Sequence, residues 1–143
     1  MGSQSIVLGY IKEPYIHNRY NLLIQNHNRA KIFSLGRMDI FPPLNSTFFS
    51  ETGESETYSN SLIYFAGTFK EIESYWETWL IKFETLLKTL VWESVYLSLN
   101  APYYGKFEYN WKATEDIIAT FDREFPQNVT NWEFTGGPRS FSD

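Results

Sequence analysis

The sequence has 143 residues, 43% hydrophobic and 19% aromatic, which suffices for one domain around one core and argues against intrinsic disorder. It contains no cysteine, and this excludes disulfides, thiolate metal sites and cysteine nucleophiles. Its net charge of −5 arises in residues 51–143, which contain fifteen acidic and seven basic side chains. Such acidity disfavours nucleic acid and anionic membranes as partners.

The N-terminal part predicts a strand followed by a helix. From Ile6 to Lys12 apolar residues fall on both faces of an extended chain, which is typical of a central strand. Pro14 suits the first turn of a helix, and we expect that helix over residues 14–28. Its apolar face is predicted from residues spaced three or four apart: Ile16, Tyr20, Leu23, Ile24 and His27.

Between Ala30 and Asn60 the periodicity is lost. Pro42-Pro43 and the stretch from Ser50 to Asn60 are loop signals, although phenylalanines recur in the segment and need burial. We expect a long connection held by apolar anchors, with a short helical turn around Pro43 to Ser50.

A long amphipathic helix is predicted from about Lys70 to Trp92. It follows a strand from Leu62 to Phe69, and Thr68 with Glu71 has the spacing of a capping box. At a rise of about 1.5 Å per residue, this helix would be roughly 33 Å long, enough to cross a whole sheet. Its apolar face combines aromatic and aliphatic residues: Ile72, Tyr75, Trp76, Trp79, Leu80, Phe83, Leu86, Leu87, Leu90 and Val91.

The C-terminal part predicts a hairpin and two short elements. Ser94 to Leu99 and Lys106 to Trp111 both alternate between apolar and polar residues, and a turn joins them. Thr114 to Phe121 predicts a short helix, and Asn131 to Phe134 an edge strand. The fold class is therefore α+β: an antiparallel sheet of four to five strands packed against the long helix and the shorter N-terminal helix. Residues 1–143 form one domain, with 136–143 as a flexible tail.

Motifs for catalysis or cofactor binding are missing from the sequence. His17 and His27 would lie about 80° apart around one helix, so they would not readily share a metal ion. No P-loop and no nucleophile elbow is found, and Glu73 with Glu77 is best explained as a solvated helix face. We expect a protein that is not an enzyme and binds no cofactor or metal. Without a membrane span or secretory signal, we also expect a cytoplasmic location and no membrane partner.

Two surface regions are candidates for partner binding. The first is the segment that places Phe48 and Phe49 beside Glu51, Glu54 and Glu56, whose alternative interpretation is a solvated flexible loop. Acidity there would favour a basic partner, or would serve solubility alone.

The second candidate is an aromatic patch on the open face of the sheet and at the hairpin turn. It comprises Tyr96, Tyr103 and Tyr104. Tyrosine is common in binding hot spots because it buries a large area and still forms hydrogen bonds. The alternative is that these are sheet-face tyrosines without a partner.

The run from Trp76 to Leu87, together with Trp92 shortly after it, resembles a pattern of small bacterial immunity proteins encoded beside polymorphic, Rhs-type toxins. The similarity covers residues 40–111 and includes the Phe-Pro-Pro segment at 41–43 and the strand end at 67–70. It implies a compact domain that binds a cognate toxin domain and blocks its active site or substrate access, and it identifies no functional residues. An acidic protein would suit a toxin with a basic surface.

The alternative function is that of a small-ligand binding domain with an aromatic pocket between helix and sheet. Trp76, Trp79 and Trp111 would line that pocket. An enzyme that uses glutamates in such a pocket is a third and more distant interpretation.

Overall fold

The computed structural model describes residues 4–14, 18–37, 39–52, 62–121 and 127–141. These residues form one antiparallel sheet with helices packed against it, in agreement with the predicted α+β class. The strands are β1 (Gln4–Lys12), β2 (Phe49–Thr52), β3 (Leu62–Lys70), β4 (Ser94–Ala101), β5 (Gly105–Ala113) and β6 (Trp132–Gly136). The helices are α1 (Asn18–Phe33), α2 (Trp76–Leu87) and α3 (Glu115–Phe121).

The six strands lie in the order β2-β3-β1-β4-β5-β6, so β1 is central as predicted. The predicted number of four to five strands was too low. β2 lies in a segment whose Ser, Thr, Glu and Gly residues indicated a loop, and four residues are too few to show a clear alternation. Tertiary pairing with β3, from Phe49 opposite Phe65 to Thr52 opposite Leu62, holds this strand in place.

Gly9 allows the central strands to approach closely. A Cβ atom at this position would lie 2.0 Å from the carbonyl oxygen of Tyr96 on β4 and 2.9 Å from the ring of Phe65 on β3. The Phe65 ring therefore occupies the space that a side chain on β1 would need. Glycine is required here by packing.

The predicted long helix is divided in the structure. Lys70 ends β3, Glu71 has a left-handed backbone with φ of 58°, and a 3-10 turn over Ile72–Tyr75 precedes α2. The capping-box prediction was wrong, because Thr68 is a strand residue paired with Ile6. With 12 residues, α2 is about 18 Å long.

The apolar run continues past both ends of α2 because neighbouring non-helical segments are buried as well. Leu90, Val91 and Trp92 lie in the core beyond the helix, and Trp92 Nε1 donates a hydrogen bond to the carbonyl of Leu87 at 2.9 Å. Apolar periodicity indicates burial and does not mark the residue at which a helix ends.

A column of aromatic rings on α2 fills the space between helix and sheet. Trp76 and Trp79 stack with centroids 5.2 Å apart, and Trp79 and Phe83 stack at the same distance. Trp76 Nε1 donates a hydrogen bond to the hydroxyl of Tyr109 on β5 at 3.0 Å, and Trp111 also contacts the column. The aromatic face of α2 is therefore core, as the amphipathic pattern predicts.

The helix α1 extends five residues further than the predicted helix at its C-terminal end, and it turns a different face inward. Its buried stripe is Asn21, Ile24, Asn28 and Ile32, whereas Leu23, predicted to be buried, is exposed. The prediction counted apolar residues only. Asn28 is accommodated in this buried stripe because buried polar partners are available to it.

Asn28 joins α1 to the segment between α2 and β4. Its side-chain amide donates to Glu13 Oε2 at 2.6 Å and to the carbonyl of Val91 at 2.8 Å. Its Oδ1 accepts the backbone N–H of Val91 at 2.9 Å. All of these groups are buried, so the arrangement fixes the position of the helix.

Lys82 anchors the connection between α1 and β2. Its ammonium donates to Asp39 Oδ2 at 2.9 Å and to the carbonyl of Pro42 at 2.8 Å. The hydrogen bond from Lys82 holds the pKa of Asp39 below its ordinary value. The predicted helical turn in this connection is present as a 3-10 turn over Ser46–Phe48.

The predicted flexible tail begins at Gly136, which ends β6. Residues 137–141 make side-chain and backbone contacts: Arg139 forms an ion pair with Glu84, and Phe141 packs against Phe107. Glu84 Oε2 also accepts a hydrogen bond from Trp111 Nε1 at 2.8 Å. Residues 142 and 143 lie outside the described part of the chain.

Replacement of Asn28 by alanine should destabilise the fold. It would leave the buried Glu13 carboxylate and both backbone groups of Val91 without this partner, so we expect Asn28→Ala to lower the free energy of unfolding by about 2–4 kcal/mol. The measurement is urea denaturation. Asn26→Ala is the matched control, since Asn26 is exposed on the same helix and the change should be nearly neutral. Equal effects of both substitutions would contradict the role of Asn28.

Stability should fall at alkaline pH because of Tyr109. Burial raises the pKa of Tyr109 to about 12 from the ordinary value of 10.0. Between these values the unfolded chain loses the proton and the folded chain keeps it, so stability decreases as the pH rises. Urea midpoints between pH 9 and about pH 12 should fall less steeply for Tyr109→Phe than for the wild type. The exposed Tyr103→Phe should keep the wild-type slope, and an unchanged slope in Tyr109→Phe would refute the assignment.

Candidate partner-binding surface

The described helices pack on one face of the sheet and leave the central part of the other face uncovered. One hydrophobic core contains the inward residues of the strands together with residues of α1, α2 and α3. On the opposite side, three neighbouring strands present what we term the open sheet face: Ile6, Leu8, Tyr10, Tyr64, Ala66 and Tyr96.

Strand register brings three tyrosines into one row across this face. Tyr10 on β1 lies opposite Tyr64 on β3 and opposite Tyr96 on β4. The aliphatic residues Leu8 and Ile6 follow along β1, because alternate residues of a strand point to the same side. The result is a continuous patch of aromatic and aliphatic side chains on a fully paired central strand.

Much of this patch is in contact with solvent. The exposed fraction is 44% for Leu8, 40% for Ile6, 38% for Tyr10 and 47% for Tyr64. Single exposed apolar residues are ordinary, whereas a contiguous group rimmed by polar residues is typical of an interaction site. The next strand, β5, provides such a rim with Lys106, Glu108, Asn110 and Lys112.

Tyr96 is held in place by its neighbours. Its ring lies 5.7 Å from that of Tyr10, and its hydroxyl donates a hydrogen bond to Glu108 Oε2 on β5. This hydrogen bond, with a smaller contribution from burial, raises the pKa of Tyr96 above its ordinary value. The hydrogen bond to Glu108 therefore fixes the Tyr96 side chain at the border between the apolar patch and the polar residues of β5.

The structure separates Phe48 and Phe49 from the tyrosines. Phe49 pairs with Phe65 in the sheet, and the Phe48 ring contacts Phe65 and Trp79 on the helix-covered side. Both rings are half-buried against the core. Of the glutamates predicted beside them, Glu51 is part of β2, and Glu54 and Glu56 lie outside the described residues.

Tyr103 and Tyr104 lie at the tip of the hairpin between β4 and β5, at one end of the sheet. Both side chains are exposed, and Tyr104 contacts Phe141 with centroids 4.8 Å apart. Of the predicted partner-binding residues whose side chains the structure describes, Tyr96 is the one that belongs to the open sheet face.

Sequence reasoning missed Ile6, Leu8, Tyr10 and Tyr64 as surface residues. The signal was present, because β1 has apolar residues at both even and odd positions. That pattern predicts a central strand, which is confirmed, but it does not by itself show that one of the two apolar faces is open to solvent. In an antiparallel sheet a central strand can be solvated on one side, so an apolar outward face is the informative feature.

Metal-ligating side chains are dispersed in the part of the chain that the structure describes. Within this part of the chain, no group of three or more His, Asp or Glu side chains is placed to hold a metal ion. His17 lies outside it, and His27 Nε2 contacts the carbonyl oxygen of Thr89 at 2.9 Å. None of the helices in the described ranges has the length and apolar content required to cross a membrane.

The three tryptophans proposed to line a ligand pocket are packed against other rings. Trp76, Trp79 and Trp111 are each at most 1% exposed. Trp76 and Trp79 stack on each other, and Phe83 contacts both Trp79 and Trp111. The rings themselves therefore occupy the space between α2 and the sheet.

The open sheet face is accordingly the clearest functional feature of the described structure. No family model matches the chain, and no curated protein or solved structure matches it with statistical significance. The function is therefore inferred from the chemistry of this surface together with the sequence resemblance.

Proposed function

We propose that this protein is an immunity protein that binds a cognate antibacterial toxin domain through the open sheet face and blocks the toxin's active site or substrate access. The observation that carries the proposal is the exposed row of Tyr64, Tyr10 and Tyr96 with Leu8 and Ile6 beside it. Such a surface is suited to contact a protein, because it is broad, apolar at its centre and polar at its rim.

A paired sheet is a favourable platform for tight binding. The strands that carry the patch are hydrogen-bonded on both sides, since β3, β1 and β4 are interior strands. Little backbone entropy is lost when such a surface binds, and tyrosine side chains have few rotatable bonds. A preformed surface is what occlusion of an active site requires.

The charge distribution supports a toxin with a basic surface as the partner. Residues 51–143 carry fifteen acidic and seven basic side chains, and acidic charge accelerates the encounter with a basic partner. The resemblance of residues 40–111 to immunity proteins of Rhs-type systems supports the same assignment, in which the protein acts in the cytoplasm without catalytic activity.

Substitution on the open sheet face should abolish protection. We expect Leu8→Lys to weaken the complex with the purified cognate toxin domain by about 30-fold or more, because a charge would be buried at the centre of the interface. Binding is measured by calorimetry, and protection by co-expression of toxin and variant.

Leu22→Lys is the matched control. Leu22 is also an exposed leucine, 61% accessible, but it lies on α1 on the helix-covered side. Wild-type affinity is expected for this variant. Loss of affinity in Leu22→Lys together with wild-type affinity in Leu8→Lys would place the interface on the helices. Absence of any complex with the toxin would refute the proposed function itself.

Salt dependence distinguishes a steering role of the acidic residues from a merely solubilising one. If the partner is basic, the association rate should fall roughly tenfold or more between about 0.01 M and about 1 M salt, because screening shortens the range of the attraction. The dissociation rate should change much less. Stopped-flow mixing measures both rates, and an association rate independent of salt would show that the acidity serves solubility alone.

A further inference from the structure

A groove separates the C-terminal end of α1 from the edge strand β2, on the helix-covered side of the sheet. Its volume is about 560 Å³, within the range of roughly 300–1,000 Å³ that is typical of small-molecule sites. We term it the α1–β2 groove. Its apolar lining consists of Ile32, Phe33, Phe49 and Ile63.

Phe33 is unusually exposed for an apolar residue of this lining. It ends α1, and 79% of its surface is exposed although it lines an apolar groove. Ile32, Phe49 and Ile63 form the deeper part, because they also pack against the hydrophobic core. An apolar ligand chain would thus contact buried groups on one side and would cover Phe33 on the other.

The same groove has a positively charged and polar rim. Arg29 and Arg37 line it, together with Ser46, Thr47 and Ser50. No acidic residue is among the described lining residues, although the protein as a whole has a net charge of −5. The Arg37 guanidinium beside an apolar floor is complementary to a ligand with an apolar body and an anionic head.

The end of a helix usually disfavours an anion, because its last carbonyl groups carry partial negative charge. Here those carbonyl groups are occupied. The backbone N–H groups of Ser34, Leu35 and Gly36 donate to the carbonyls of Ala30, Ile32 and Phe33 at 3.0, 3.0 and 3.1 Å. The Ser34 hydroxyl donates to the carbonyl of Lys31 at 2.6 Å. These hydrogen bonds leave fewer unpaired carbonyl groups at the helix end to oppose an anion at Arg37.

We propose that the α1–β2 groove is a binding site for a small aliphatic carboxylate. The chain lies on Ile32, Phe49 and Ile63, and the carboxylate lies at Arg37. This site is distinct from the open sheet face and does not depend on the proposed immunity function. The groove offers the two features that such a ligand needs, an apolar floor for the aliphatic chain and the Arg37 guanidinium for the carboxylate.

Titration calorimetry with decanoate, kept below its micelle concentration, tests the assignment on the full-length protein. One saturable site is expected. Decylamine and acetate are the comparison ligands, since each retains only one of the two recognised features. Both should bind at least about tenfold more weakly than decanoate, because each loses a contribution of about 1.4 kcal/mol or more.

Arg37→Gln should weaken decanoate binding about tenfold, through loss of a charge-assisted hydrogen bond. Lys31→Gln is the matched control: Lys31 is an exposed basic residue of α1 that lies outside this groove, and its replacement should leave the affinity unchanged. Phe33→Ala should weaken decanoate and leave acetate unaffected. Since Arg37 and Phe33 are exposed, both variants should fold, which thermal denaturation verifies.

Three results would overturn the proposal: no saturable decanoate binding below about 1 mM, equal affinity in Arg37→Gln, or equal affinity for decylamine. A fourth would reassign the site to protein recognition, namely tighter binding of an apolar peptide that ends in a free carboxylate. None of these measurements uses the toxin. Failure here is therefore distinguishable from failure of the immunity proposal.

Discussion

The fold depends on one constraint: a six-stranded sheet has two faces, and the described helices cover only one of them. The stacked rings of Trp76, Trp79 and Phe83 fix α2 against the covered face and occupy the space that a ligand would need. The second face must then be compatible with water. Strand β5 meets that requirement with charged and amide side chains, whereas β1 presents Ile6 and Leu8. The apolar residues of β1 on the second face are therefore where a partner is expected to bind, because exposed apolar area has a cost unless a partner covers it.

The position of α1 follows from a polar interaction within this covered layer. Asn28 bonds to Glu13, just beyond β1, and to Val91, just before β4. Because these groups are buried, a shift of the helix by one residue would leave several of them unpaired, which is more costly than a small loss of apolar contact. The same fixed position turns Leu22 to solvent and brings Ile32 and Phe33 to the edge strand. One buried amide thus determines what α1 exposes and which groove it forms.

Most strands could be predicted from the sequence because one-sided burial produces alternation, as in Val95, Leu97 and Leu99. The ends of α2 could not be predicted, because the apolar run continues into buried non-helical residues such as Trp92. The buried face of α1 could not be predicted either, because it contains Asn28, whose partners Glu13 and Val91 lie 15 and 63 residues away in sequence. The open sheet face was partly predictable: Tyr96 was identified, but recognition of Tyr10 and Tyr64 required the strand register, which depends on tertiary pairing.

Strand β3 contributes to both proposed sites through successive residues. Ile63 points to the covered side and lines the α1–β2 groove, whereas its neighbour Tyr64 points to the open sheet face. Ile63 and Tyr64 are thus separated by the thickness of the sheet, and a side-chain substitution at either position acts mainly on one of the two sites. A change in the backbone of β3 would affect both. A ligand on the apolar floor of the groove and a protein on the open sheet face could accordingly be bound together, and β3, which contributes a residue to each site, is the direct route for coupling between them.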